Sequence, residues 1–441
     1  MTILNESGTP DVVSPLWGLS PLAERLPDAI FVLVGTRADA YTALSLCGPL
    51  PGSRQTRHAA GAVPPFVLLE PDSEPEGGAL ASRVVEAAAG SGGAPEVVLI
   101  VACRSAGLLG VDAAFEAELA ERRLGVPVRA VETSGDAKNP LATDLEDAVA
   151  QTLVGLSPRE ARAVEKEEPA GKGGLLNRLR GRATGRASFG DRGTPRPVVL
   201  LGGLEASREE LADELGRTGV EVVGGVPDSV RNLPEIGEGT VVAPVDPYLA
   251  RAARAAEERG ATVVRTLLPV GVDGTARFVQ DVAGAAGRVT GEAGRAREVW
   301  SSMEHLRGRI RGKRVFFTGD TGLEVPLARF LANAGAVVVE VGTPRLERRF
   351  LAAELGALGS DVDVVESPEW RAQLGRVEET RPDVVVASPG LYAPLVARGH
   401  LCRSSLDLLS LDPRGYEGAR RVLALLARTF ERAEELDALN L

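Results

Sequence analysis

Gly319-Asp320-Thr321-Gly322 is the stretch of this chain that most directly suggests chemistry. It follows an apolar strand, Val315 to Thr318, and precedes a helix whose apolar positions fall on one face. Backbone N–H groups at a helix start lack intrahelical partners and can hold an anion. The turn can equally be closed by Asp320 satisfying those donors, and both readings stand. Other chemistry is sparse. His58, His305 and His400 show no H-x-x-x-H spacing, so a histidine metal site is not expected. There is no G-x-S-x-G elbow. Gly171-Lys172-Gly173-Gly174 lacks the preceding strand and the Ser or Thr after the lysine that a phosphate loop needs, so ATP is not expected to bind here. Cys47, Cys103 and Cys402 are too few in so long a chain for a disulfide framework.

Such groups need elements to hold them. Arg311 to Leu355 reads as one βαβ module, closed by a second strand (Val337 to Val341) and a turn at Gly342-Thr343-Pro344. Ligand or partner groups would approach the carboxyl ends of its strands. Similar apolar runs recur at Ile30–Val34, Val97–Val101, Val198–Leu201, Thr240–Ala243, Thr262–Arg265 and Asp383–Ala387, each followed by a turn and an amphipathic helix. Strands alternating with helices imply parallel sheets covered on both faces. The fold class is therefore α/β, as three Rossmann-like α/β domains with parallel sheets. A length of 441 residues suits two to four domains. Aromatic residues at only 4% point to cores of Ala, Val and Leu. A net charge of −11 argues against nucleic acid as a main partner. No run of about 18 apolar residues suggests a membrane span. The N-terminus lacks a signal-peptide layout, so a cytoplasmic location is expected.

The expected divisions are 1–156 for an N-terminal α/β domain, 157–195 for a linker and 196–285 for a middle domain. A connecting helix at 286–311, a third domain at 312–412 and a C-terminal helix at 413–441 complete them. Ser157 to Pro195 is charged, Gly-rich and poor in β-branched residues, with five arginines and one lysine between Gly171 and Arg192. It reads as a flexible connector or as a docking arm for an acidic partner. The last helix, Gly415 to Leu436, carries Val422, Leu423, Leu425, Leu426 and Phe430 at helical spacing and should pack back on the body.

Several longer patterns add a resemblance. "GKRVFFTGDTGLEVPLARFL" followed by "VVEVGTP" is similar to "GK-x-VFF-x-GD-x-x-LE-x-x-LARFL" and its "V-x-E-(I/V)-G-T/I-P" turn. "PVVLLGGL" from Pro197, "GTVVAPVDPYLARAA" from Gly239, "PVGVDGTARFV" from Pro269 and "RPDVVVASPGLYAPLVARG" from Arg381 follow the same family in order. Together they cover most of 196–430. The chain resembles nitrogenase component 1-like proteins, and within them the N-type subunits of light-independent protochlorophyllide reductase.

That resemblance implies a ferredoxin-linked oxidoreductase subunit in (bacterio)chlorophyll synthesis, working with a B-type subunit in an N2B2 heterotetramer. An L-type protein would bind the ATP and pass electrons, and protochlorophyllide or a related tetrapyrrole would be the substrate. It also implies a [4Fe-4S] cluster held by three cysteines of this subunit and an aspartate of the B subunit. The second cysteine position, in "VG-(T/S)-(K/R)-T-C-(G/A)-(Y/H)", is here Asp39, within Val34-Gly35-Thr36-Arg37-Ala38-Asp39-Ala40-Tyr41. An ungapped count puts the first on Ser14, and the third falls on Cys103. The implied metal ligands are thus Cys103, Asp39 and Ser14, around a cluster that is labile or lost, because oxygen donors match such iron less well than thiolates. Cys103 is also readable as a small buried hydrophobe. Asp39 can cap a helix beginning with Tyr41, and Ser14 before Pro15 is also readable as a turn residue. Cys47 could reach a displaced cluster or sit in a core beside Leu44 and Leu46, and Cys402 has no assigned role. Further drift shows in Leu50 to His58, in place of an acidic, aromatic run, and in Leu141 to Asp147, in place of "FTQGED". A cluster-free N-like paralogue acting as a scaffold, or a subunit of a related reductase such as chlorophyllide reductase, are the alternatives.

Limited proteolysis should cut first among the arginines of 157–195 and leave two stable fragments. Protection of those sites in the isolated protein would contradict the linker assignment.

Overall fold

The computed structural model describes residues 2–8, 14–44, 66–71, 78–90, 94–132, 140–159, 195–288 and 293–438. The expected linker core, Cys47 and the Leu50 to His58 stretch lie outside the described residues. Strands run in the order β1 (Thr2–Asn5), β2 (Ala29–Val34), β3 (Phe66–Leu69), β4 (Val97–Ala102), β5 (Val128–Glu132), β6 (Val198–Leu201) and β7 (Val222–Val226). They continue with β8 (Val241–Pro244), β9 (Thr262–Val263), β10 (Arg314–Phe317), β11 (Val337–Thr343), β12 (Asp363–Glu366), β13 (Val384–Ala387) and β14 (Cys402–Ser404).

Three sheets result, ordered β3-β2-β4-β5, β7-β6-β8-β9 and β1-β12-β11-β10-β13-β14. Every pairing within them is parallel. The inner strands Phe31–Val34, Val97–Val101 and Val198–Leu201 are fully buried, which is why they read as unbroken apolar runs. The strands that the apolar pattern leaves unmarked are β1, β3, β5, β7, β12 and β14. All but β12 lie at sheet edges, where burial on one side is incomplete and the apolar signal thins.

The N-terminal boundary needs correction. Thr2–Asn5 does not belong to the first sheet but adds an edge to the third, pairing Thr2 with Asp363 and Asn5 with Glu366. Arg376 fixes it there by bonding both Glu6 (2.6 Å) and Glu340. The last helix, Gly415–Ala438, packs on Glu205–Gly216, Val272–Ala285 and Glu304–Ile310, and its Thr429 hydroxyl accepts from Arg403 in β14 (2.6 Å), so it joins the middle and third units. One apolar cluster runs through all three, from Leu16 and Val101 to Leu201, Phe330 and Val422.

Buried charge ties the same units together. Arg414, just before the last helix, pairs with Asp246 at the end of β8 and with Asp412 (2.8 Å), and it donates to the Tyr248 hydroxyl (3.1 Å). Each of these side chains is nearly or wholly sealed from solvent. Removing one member of such a network leaves an uncompensated buried charge. Arg414→Met should therefore destabilise the fold by about 3–5 kcal/mol in chemical denaturation, whereas Arg420→Met, at an exposed pair, should be close to neutral.

Candidate functional site

In a parallel α/β sheet, the crevice opens where strand order reverses, outside the carboxyl ends of the two diverging strands. The three sheets place such points between β2 and β4, β6 and β8, and β10 and β13. Each is bridged by polar groups. Between β6 and β8, Asp246 accepts the Gly203 N–H (2.9 Å) and holds Arg414. Between β10 and β13, Thr318 accepts the Ser388 N–H (2.8 Å). Both of these points are buried. Among the described residues, the point between β2 and β4 is the one that keeps some contact with solvent, and it contains Asp39 and Cys103.

The backbone at the end of β2 comes very close to both residues. A Cβ on Gly35 would lie 2.7 Å from Cys103 Sγ and 2.9 Å from Asp39 Oδ2, so only glycine fits. The helix after β2 begins at Arg37, not Tyr41, and Asp39 lies in its first turn. The Thr36 N–H and hydroxyl donate to Asp39 Oδ2 at 2.8 Å each, and the Asp39 N–H returns to Thr36 Oγ1 at 3.3 Å. This is a reciprocal capping box, legible in advance from Thr36-x-x-Asp39. Ser105, from the short helix Arg104–Leu108 after β4, donates to the same oxygen at 2.9 Å. Burial works to raise the Asp39 carboxyl, but the bonds from Thr36 and Ser105 outweigh it and hold it below its usual range. Cys103 is buried, and burial followed by the nearby Asp39 charge pushes its thiol up to about 12. It is therefore a protonated thiol at neutral pH.

Ser14 stands apart from this pair in role. It caps the 3-10 turn Pro15–Gly18, its Oγ accepting the Leu16 N–H at 3.4 Å. Cys402 is buried in β14, with its sulfur against the His400 carbonyl. Among the described residues no three His, Cys, Asp or Glu side chains converge to hold a metal. A single thiol beside a carboxylate and a capping hydroxyl, both hard oxygen donors, does not fit the thiolate donor set of a [4Fe-4S] cluster.

The Gly319-Asp320-Thr321-Gly322 turn also resolves differently from both expectations. Its N–H groups are held by Glu324, whose Oε1 accepts from Asp320 (3.0 Å), Thr321 (2.7 Å) and Gly322 (3.1 Å) and from the Thr321 hydroxyl (2.9 Å). The helix Glu324–Ala334 thus supplies its own anion, and an external one has no place there. Gly319, at φ 76°, lets the turn pass against Gly342, whose oxygen would lie 2.0 Å from an added Cβ.

Leu141 to Asp147 proves less drifted than its spelling suggests, since Thr143, Glu146 and Asp147 keep the types found in "FTQGED". The residues open the helix Asp144–Leu156, and between them they reach both of the other units. Thr143 donates to the Thr321 carbonyl (3.1 Å), Asp144 binds Arg345 (2.7 Å), and Glu146 binds Arg25 (2.8 Å) and the Tyr248 hydroxyl (3.3 Å). Asp147 accepts the N–H groups of Arg251 (3.1 Å) and Ala252 (3.0 Å), capping the helix Ala250–Glu258, which has no side-chain cap of its own.

Burial raises the Asp147 carboxyl from its ordinary 3.8 to about 6, with the two backbone bonds opposing. The folded chain therefore holds this proton more tightly than the unfolded one. The resulting penalty is full above pH 6 and disappears as pH falls toward 3.8. Asp147→Asn, which keeps an acceptor oxygen, should gain up to about 3 kcal/mol over wild type at pH 8 and lose that advantage near pH 4 in denaturation profiles.

Comparison with known proteins gives the chain its relatives. Residues 84–431 match the family described as nitrogenase component 1 type oxidoreductase. The light-independent protochlorophyllide reductase subunit N of Heliobacterium modesticaldum is 32% identical over 98% of this chain and 97% of its own. That of Roseiflexus castenholzii is 42% identical over 55% of this chain, an overlap that spans 59% of the relative's length. A solved structure of nitrogenase Cp1 at pH 6.5 superimposes with a TM-score of 0.67 over 99% of this chain and 94% of that one, at 12% identity, a likeness of fold. Among the described residues no helix is long and apolar enough to cross a membrane.

Proposed function

This chain belongs to the nitrogenase component 1 type oxidoreductase family, and we propose that it serves as the N-type subunit of a light-independent protochlorophyllide reductase or a sister tetrapyrrole reductase. The subunit would act only in assembly with a B-type partner, in an N2B2 arrangement. Reducing equivalents would come from an L-type protein that uses ATP. The partner would also supply groups for tetrapyrrole reduction, and among the described residues of this chain no three His, Cys, Asp or Glu side chains converge to hold a metal.

One observation carries the partner dependence. The elements leaving the carboxyl ends of β2 and β4 expose large apolar side chains: Tyr41 (78% exposed), Leu108 (81%), Leu109 (43%) and Phe115 (49%). They lie on the helices that follow these two adjacent strands, Tyr41 on Arg37–Leu44, Leu108 and Leu109 at Arg104–Leu108 and Phe115 on Ala113–Leu124. Large apolar side chains left exposed on the elements of one sheet end favour a partner face over a solvated one. A permanent subunit interface of roughly a few thousand Å² is normal for assemblies of this kind. Leucine and tyrosine on short helices, backed by buried strands, would provide its apolar centre.

A scaffold reading, in which the subunit contributes surface and pocket wall without a cluster, is favoured by the chemistry of Asp39 and Cys103. Both readings require the partner. Co-expression with the B-type chain should give a stable complex that, with the L-type protein, ATP and reductant, bleaches the protochlorophyllide band. Leu108→Asp should weaken association about tenfold or more while leaving the melting temperature of the isolated chain unchanged. A chain that stays monomeric beside its B-type partner in size-exclusion runs would refute the assignment.

A further inference from the structure

Building on that family reading, we infer that the crevice between β2 and β4 is a metal-free clamp in this chain. In it, Asp39 joins the helices Arg37–Leu44 and Arg104–Leu108, and neither it nor Cys103 serves as a cluster ligand. Asp39 Oδ2 accepts three hydrogen bonds from within the chain, two from Thr36 and one from Ser105, so this oxygen is taken by the protein and the carboxylate is held in a fixed orientation. The Ser105 bond is the telling one. It crosses from the end of β4 to the helix after β2 and ties the two together.

The other described donors have structural places of their own. Cys103 packs its sulfur against Gly35, its N–H bonds the Val34 carbonyl (2.9 Å), and it starts the helix that carries Ser105. Ser14 closes its own turn. A cubane cluster takes one protein ligand per iron, and thiolate suits it far better than carboxylate or hydroxyl oxygen. The clamp has its own purpose. The two helices it joins carry Tyr41 and Leu108, so their spacing sets the shape of the exposed apolar rim.

The full chain, purified anaerobically alone and co-expressed with its B-type partner, is assayed for iron, acid-labile sulfide and thermal unfolding, with and without an iron chelator. The chain alone should hold less than about half an iron, far below the four of a complete cluster, and the chelator should not move its melting temperature. Asp39→Ala should lower that temperature by about 2–4 °C, while Asp39→Asn, which keeps an acceptor oxygen, should retain most of it. Iron in the complex that survives both Asp39→Ala and Cys103→Ala lies elsewhere and leaves the clamp standing. About four irons per chain that disappear in either variant would overturn it, as would an Asp39→Ala chain with an unchanged melting temperature. Failure to bind the B-type partner would refute the proposed function, yet the clamp remains readable from the chain alone.

Discussion

A carboxylate taken out of water must find donors, and in this chain the donors for the deepest ones come from another unit. Asp246 closes on Arg414 from the far end of the chain, Asp144 on Arg345, and Glu354 accepts the Leu268 N–H of the middle unit (2.7 Å) beside Arg329, its partner in a pair sealed almost completely from solvent. Arg329 also donates to the Val270 carbonyl (2.8 Å), in the middle unit. Pairs of this kind contribute little net stability compared with a well-packed apolar substitute, but losing one partner is severe. They therefore fix how the three sheets sit against one another. The helix Asp144–Leu156 carries one of these pairs and adds the contacts of Glu146 and Asp147 in its first turn, which makes it the joint of the molecule.

Because the joint is rigid, the ends of the sheets are held in a fixed relation. Two of the three switch points are filled by the protein itself, one by Asp246 and Arg414, the other by Thr318 and Ser388. Even the backbone donors of the Gly-rich turn in the third unit are taken by Glu324. What remains for an outside partner is the carboxyl edge of the first sheet. The same physical rule that makes all three points candidates thus leaves one of them available.

The local chemistry there is a tight corner built by Gly35, Thr36 and Cys103, which Asp39 turns into a hydrogen-bonded cap. A carboxylate can do so because it accepts several N–H and O–H bonds on one oxygen, which a thiol does poorly. The result is a surface whose apolar rim, Tyr41, Leu108, Leu109 and Phe115, suits a permanent protein neighbour.

The sequence by itself determined the α/β class, the buried inner strands and the family, because unbroken apolar runs and ordered glycine turns are local signals. The parallel sheets follow from them, and the long helix Gly415–Ala438 was legible from its spacing. Local pattern also held the capping box at Thr36 and Asp39, although the helix start is four residues earlier than Tyr41 suggests. Three things were decided only in three dimensions. The strand Thr2–Asn5 pairs with β12, some 360 residues away, and nothing in four half-exposed residues announces that. The occupant of the Gly-rich turn is Glu324, because only the folded turn shows which carboxylate its N–H groups can reach. Ser105 meets Asp39 because parallel pairing puts the ends of β2 and β4 side by side, and hydrogen bonding across a sheet has no signature along the chain.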